Sequence, residues 1–242
     1  MKNPGIGITT RNFWRVVNRI MSAGCCDIPR GSEATVKDLS YILSFAGCKI
    51  IVAENNSSYK KIVECRPNLK DLENIIVIDT KNVDTEATDV KVLSYDEVLE
   101  IGKEFRNSNP GKIEESIKNG KEDDTATIIF TSGTTGTPKG VELLHKNFMC
   151  QIEGVSETLN LKPGDKTLCV LPVWHVYERE MEYYYMAKEI AMCYTKPVPS
   201  MILADFKKIN ISFIACVPRI WDAIYKQIEK NATEKSSFKK VV

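Results

Sequence analysis

Residues 128–141 read IIFTSGTTGTPKGV. Ile128, Ile129 and Phe130 are a short apolar run, and the ten residues after them are all Gly, Ser, Thr, Pro or Lys. The run reads as a buried strand and the remainder, 131–140, as a loop at its end. Gly133, Gly136 and Gly140 lack a Cβ, so the backbone can turn sharply and approach a ligand closely. Thr131, Ser132, Thr134, Thr135 and Thr137 bring hydroxyls that donate or accept hydrogen bonds, and Lys139 brings a cation. No carboxylate stands among them, so the loop suits phosphate oxygens. A plain Gly/Thr surface turn is the bland alternative, but a run this long directly behind an apolar strand argues against it. The spacing is neither that of a Walker A loop, because Pro138 precedes Lys139 and Gly140 follows it, nor G-x-G-x-x-G.

Around the loop, strand-like and helix-like segments alternate. Residues 12–23 carry Phe13, Val16, Val17, Ile20 and Met21 at helical spacing. Residues 25–29 read as a short buried strand. Thr35 and Asp38 form a capping-box pattern ahead of a helix ended by Gly47. Strands are expected over 49–53 and 74–79, with a helix over 57–65 between them. Beyond the loop come a strand over 141–144, a helix over 145–159, a turn at Pro163-Gly164-Asp165 and a strand over 167–171. Helices over 174–188, 200–208 and 219–230 then alternate with strands over 190–194 and 211–216. This order predicts an α/β fold of βαβ units with mostly parallel sheet. Residues 103–124, highly charged and holding a Pro-Gly pair, read as a solvated linker with one short helix. Residues 231–242 read as a polar tail.

Composition excludes several classes. Lys plus Arg number 33 against 32 for Asp plus Glu, so no basic field argues for nucleic acid. No apolar run approaches the length of a membrane span, and polar residues interrupt any signal-peptide core near the N-terminus. The eight cysteines form no C-x-x-C pair and several sit in apolar runs, which argues against zinc or disulfide frameworks and for reduced thiols in the cytoplasm. The two histidines, His145 and His175, are too far apart for a local metal site, and no residue is assigned to a metal.

The loop at 131–140 resembles the phosphate-binding signature of the adenylate-forming enzymes: acyl-CoA synthetases, luciferases and peptide-synthetase adenylation domains. KPGDKTLCVLPVWHVYER, residues 162–179, is similar to a second signature of acyl-CoA synthetases, in which a strand ends in Leu-Pro and a His follows. CDIPRGS at 26–32 is similar to the family's segment before its first large sheet. ADF at 204–206 through VPRIWDAIY at 217–225 resembles long-chain acyl-CoA synthetases in particular. Together these cover most of 24–230. The resemblance implies the large N-terminal domain of the adenylate-forming fold, with layered βαβ sheets and flanking helices. On that expectation residues 1–102 are a first βαβ region, 103–124 a linker, 125–230 the phosphate-loop region and 231–242 a tail.

What the resemblance implies for activity is AMP-forming long-chain fatty acid–CoA ligation. ATP activates the carboxylate as an acyl-adenylate, and the CoA thiol then takes the acyl group. Thr131, Ser132, Gly133, Thr134, Thr135, Gly136, Thr137 and Lys139 would hold the ATP phosphates with Mg²⁺, and His175 would sit beside the carboxylate and α-phosphate. His145 is given a structural role. Trp174, Tyr177 and the tyrosines at 183–185 read as core or acyl pocket, with core favoured; Glu178 and Arg179 read as an ion-paired helix face, and Arg219 as a surface residue. The family's Tyr-Gly-x-Thr-Glu-like and Thr-Gly-Asp-like elements and its small C-terminal domain with a catalytic Lys do not occur before Val242. A non-catalytic truncated remnant or nucleotide-binding module is therefore the competing expectation. A long-chain substrate implies contact with bilayers or micelles, so peripheral membrane association is added to the cytoplasmic expectation, although no amphipathic anchor stands out.

Overall fold

The computed structural model describes residues 13–131 and 137–239. It divides into two compact units, residues 1–149 and 150–242.

In the first unit, helix α1 (Phe13–Ser22) ends at Gly24, whose φ of 71° suits a residue without Cβ. Helix α2 (Val36–Phe45) starts where the capping pattern places it: Thr35 Oγ1 accepts from the Asp38 N–H at 3.1 Å and donates to Asp38 Oδ2 at 2.7 Å. Strand β1 (Ile50–Ala53), helix α3 (Asn56–Cys65) and strand β2 (Asn74–Val77) form a parallel βαβ unit, with Asn55 capping α3. Strand β3 (Lys91–Ser94) extends this sheet in the order β1-β2-β3. Ile51, Ile75 and Val77 of the sheet pack with Ile42 and Leu43 of α2 and with Tyr59 and Ile62 of α3 in one buried cluster.

Two expectations in this unit need correction. Residues 103–124 are not a linker with a single short helix. Helix α4 (Tyr95–Ser108) runs into them and α5 (Lys112–Lys118) follows. A complete capping box starts α4: Ser94 Oγ accepts from the Glu97 N–H at 3.1 Å, and Glu97 Oε2 accepts from the Ser94 N–H at 2.6 Å. None of its residues is fully buried, so the helix rests on the half-buried Tyr95, Val98 and Leu99 together with its caps and surface pairs. The second concerns residues 25–29, which make an isolated parallel bridge, Asp27 to Thr127, and no strand.

Strands β4 (Thr125–Thr131) and β5 (Lys139–Leu144) form an antiparallel hairpin in which Thr131 faces Lys139 and Phe130 faces Gly140. β4 is buried along most of its length, while β5 is largely exposed.

Helix α6 (His145–Thr158) leads into the second unit. Strands β6 (Lys166–Cys169) and β7 (Ala191–Tyr194) pair in parallel across helix α7 (Val176–Ala187). Helices α8 (Pro199–Lys208) and α9 (Pro218–Lys239) follow. The strand expected over 211–216 is one bridge, Phe213 to Thr167, and the expected polar tail is helical as far as Lys239. Alternation along β6 divides the core. Cys169 packs with Met181, Tyr184 and Tyr185 of α7, while Leu168 and Val170 pack with Ile202 of α8 and Ile224 of α9. The sheet is thus sandwiched between helices, the α/β layering that the residue order predicts. Among the described residues no helix is long and apolar enough to cross a membrane.

Because α4 buries no residue fully, its cap carries much of its local stability. Ser94→Ala should lower the protection of amides 95–108 against hydrogen exchange by about 1 kcal/mol. Protection in β1 and β2 should stay unchanged. Equal losses in both places would show that α4 opens only with the whole unit.

Candidate nucleotide-phosphate site

The hairpin β4–β5 carries the loop that the sequence singles out. Thr131 is the last residue of β4 and is exposed; Thr137 is exposed as well. Ser132, Gly133, Thr134, Thr135 and Gly136 lie outside the described residues. Lys139 and Gly140 belong to β5 and not to the loop. Lys139 is exposed opposite Thr131, so ammonium and hydroxyl stand together where the two strands end. Gly140 has a reason other than the sharp turn expected of it. A Cβ there would stand 3.0 Å from Ile128 Cγ2 and 3.2 Å from Phe130 Cζ. The glycine makes room for the Phe130 ring across the hairpin.

A further cation reaches this place from a distant part of the chain. Arg30 Nη1 donates to the Phe130 carbonyl at 3.2 Å, directly before Thr131. Its segment is fixed by the Asp27–Thr127 bridge and by Lys61 Nζ, which donates to the Ser32 and Ala34 carbonyls at 2.8 and 2.9 Å. Sequence reasoning noted the segment at 26–32 but gave Arg30 no role. One hundred residues separate it from Phe130, and no local pattern carries that information.

His175 belongs to the second unit and is described within it. It is the N-cap of α7, exposed, and its Nδ1 accepts from the Tyr177 N–H at 3.3 Å. Its backbone N–H donates to Pro172 O at 2.9 Å, which closes the turn after the Leu-Pro strand end. An Nδ1 that accepts leaves the proton of the neutral ring on Nε2, pointed away from the cap as a donor. Capping and ligand donation therefore use different nitrogens. His145 opens α6, where its N–H donates to Asp124 O at 3.2 Å, in keeping with a structural role. Tyr184 and Tyr185 are core, Tyr177 is 40% exposed, and Arg219 is exposed.

Glu178 and Arg179 are the clearest correction. Both are buried, at 1% and 0% exposure, and form no ion-paired surface. Arg179 donates to Tyr183 Oη from Nε at 3.3 Å and from Nη2 at 3.0 Å. Burial first, and then the Glu182 carboxylate, push the Glu178 carboxyl up to about 8. Burial also raises the neighbouring Cys169 thiol and the Tyr194 hydroxyl.

With this geometry in hand, the relatives can be set beside it. The sequence profile of the family described as AMP-binding enzyme matches residues 18–242. This chain belongs to the AMP-binding enzyme family. The chloroplastic long-chain-fatty-acid–acyl-carrier-protein ligase AEE15 of Arabidopsis thaliana is 32% identical over 233 residues, covering 94% of this chain and 32% of its own. The long-chain-fatty-acid–CoA ligase ACSBG2 of Homo sapiens is 26% identical over 246 residues, covering 98% and 36%. The chain therefore spans about a third of the length of these relatives. Among solved structures, the N-terminal domain of FACL13 from Mycobacterium tuberculosis superposes with a TM-score of 0.66 at 16% identity, over 92% of this chain and 52% of that one. A luciferase from Phrixothrix hirtus superposes with a TM-score of 0.69 at 20% identity, over 89% and 40%. The fold of this AMP-binding chain is that of the N-terminal domain of adenylate-forming enzymes.

Two outcomes follow from the packing. Gly140→Ala should destabilise the first unit by about 1–3 kcal/mol in urea unfolding, the cost of forcing a methyl into a filled position. Phe130→Leu in the same chain should recover part of that loss; no recovery would mean that the ring is not what the glycine accommodates. The second outcome concerns pH. In the unfolded chain Glu178 ionises near about 4.3. The folded chain holds the proton up to about 8. Its stabilising contribution is therefore complete below the unfolded value, declines as pH rises, and is gone above the folded value. Burial and the Glu182 carboxyl hold it protonated, against the Cys169 thiol and the Leu171 backbone, whose hydrogen bonds favour the ionised form. Urea midpoints taken in chelator-containing buffer should fall across this window, and Glu178→Gln should flatten the fall. An equally steep fall in the variant would remove Glu178 as its source.

Proposed function

We infer that this chain is the phosphate-loop portion of an AMP-forming ligase that activates a long-chain fatty acid with ATP and passes the acyl group to a thiol. The observation that carries the reading is the β4–β5 hairpin. It sets exposed Thr131, Thr137 and Lys139 at one end of an AMP-binding fold, with Arg30 anchored at its base. In this reading hydroxyls, loop amides and Lys139 neutralise the β- and γ-phosphates. His175 Nε2–H donates toward the fatty-acid carboxylate or the α-phosphate oxygen. The N-terminal end of α7 adds a partial positive charge there.

Magnesium enters as part of the substrate. The quoted stretch from Thr131 to Gly140 has no carboxylate, and the next one along the chain, Glu142 on β5, is engaged by the Thr125 hydroxyl. The residues present fit phosphate and do not form an acidic pocket for a resident ion, so Mg²⁺ would ride on the triphosphate with water and hydroxyl oxygens. The relatives named above are ligases for acyl-carrier protein and for CoA. A phosphopantetheine thiol, on CoA or on a carrier protein, is the acceptor class in this reading. Residues 125–230 would serve the phosphates and residues 1–102 would form the supporting sheet region. A cytoplasmic site of action with peripheral contact to the lipid source belongs to the same proposal.

The decisive measurement is fatty-acid-dependent exchange of labelled pyrophosphate into ATP, a step that needs no thiol acceptor. Exchange that requires the acid, and falls at least about tenfold in Lys139→Ala without loss of folding, would support the assignment. His175→Asn keeps a competent cap and removes the ring, so it should reduce exchange while ATP binding persists. A folded chain that binds ATP and never exchanges would favour the nucleotide-binding module instead.

A further inference from the structure

The buried acids of α7 meet the sheet beneath them, and both registers explain why. Thr167 and Cys169 alternate along β6 on its α7 side. Tyr194 pairs with Cys169 across the parallel ladder and emerges on the same side. Glu178, Glu182 and Tyr185 are spaced four and then three residues apart on α7, which puts them on one helix face. One ligand atom each from Cys169, Glu178 and Glu182 lies within 4.8 Å of the others, the one such group among the described residues. The three residues are 4%, 1% and 0% exposed.

The polar atoms around them are poorly accounted for by the protein. Tyr194 Oη donates to Glu182 Oε2 at 2.9 Å. Glu178 Oε1 is buried without a hydrogen-bond partner, and the buried Thr167 and Tyr185 hydroxyls have none besides each other. Leaving such atoms unpaired costs a protein several kcal/mol in order of magnitude. A proton shared between the Glu178 and Glu182 carboxyls would settle one carboxyl oxygen and leave the Thr167 and Tyr185 hydroxyls only each other. A cation draws on the thiolate, both carboxylates and a hydroxyl oxygen at once.

We propose that Cys169, Glu178 and Glu182 form a binding site for one divalent ion of the zinc class. The donor set selects the ion. A sulfur ligand disfavours magnesium and calcium, whereas zinc takes sulfur and carboxylate oxygen together. Tetrahedral zinc holds such ligands roughly 3–4 Å apart, so the cluster has to close by only about an ångström. Binding displaces the Cys169 thiol proton and the Glu178 carboxyl proton to solvent, and a Thr167 or Tyr185 hydroxyl or a water completes four-coordination. Tyr194 orients Glu182 through its hydrogen bond, and its own half-exposed ring marks the side from which an ion enters. The site ties α7 to β6 one turn below His175. Cysteine spacing in the sequence argues against zinc because it tests only for local pairs. Here a strand cysteine meets an E-x-x-x-E helix face, and only the fold brings them together.

The test uses the whole chain, stripped with chelator and checked for folding by circular dichroism. Zinc should be retained at one equivalent after desalting, measured by elemental analysis. Cobalt(II) should give a sulfur-to-cobalt charge-transfer band that zinc bleaches. Cys169→Ser should abolish the band while Cys193→Ser keeps it. Tyr194→Phe should weaken zinc binding about 10–100-fold. A folded wild-type chain that retains no zinc and shows no band overturns the proposal, and so does a band that survives Cys169→Ser. Should Cys169→Ser fail to fold, the wild-type stoichiometry and the Tyr194→Phe affinity decide the matter alone.

Discussion

The Phe130 ring lying over Gly140 is the contact on which the nucleotide end of the first unit depends. Phe130 is 4% exposed and belongs to the same core cluster as β1, β2 and the helices above them. Its ring meets Phe45 of α2 edge-on at 6.0 Å. Its carbonyl holds Arg30, and the residue after it is the first hydroxyl of the loop. Since a Cβ at position 140 would press on Ile128 and on this ring, the hairpin closes most easily over glycine. Thr131 and Lys139 are brought opposite each other by that closure. The loop's presentation is thus a consequence of core packing, which transmits a change of one methyl group.

Much of this was legible in the residue order. A strand-like run followed by Gly, Thr and Lys located the loop, and Thr35 and Gly47 mark helix boundaries that the structure keeps. Helix α4 was missed for a physical reason. Little of its stability comes from burial, so its charged sequence looks like that of a linker, and the signal that would have found it is Ser94 with Glu97 three residues on. Arg30 and the acids of α7 were missed for a different one. Their roles come from contacts between elements far apart in sequence, and charge in a helical pattern normally marks the solvated face. Glu178 and Arg179 reverse that rule, so periodicity alone puts them on the wrong side.

His175 shows how one residue can serve structure and ligand together. The bland interpretation of a histidine at a helix start is a cap, and that is what Nδ1 does. The cap does not compete with chemistry; it selects the tautomer whose proton lies on Nε2, and it fixes the ring plane. A histidine without this bond would divide its population between tautomers and rotamers, and part of it would present a lone pair to an anion.

The same helix then links two features that look independent. His175 stands at the N-terminus of α7, and Glu178 and Glu182 occupy its next two turns on the buried face. The direction of the cap is therefore set by how those acids are satisfied. With one proton between them, the helix is held against β6 chiefly by Met181, Tyr184 and Tyr185. With a divalent ion, directional bonds to Cys169 are added, and helix rotation about its axis is restrained where apolar contacts restrain it least. On the proposed function, in which His175 donates from Nε2 to a substrate oxygen, α7 gains most from that restraint, because misplacement by about an ångström weakens catalysis severely. On that proposal the polar interior of α7 is part of how the donor is aimed.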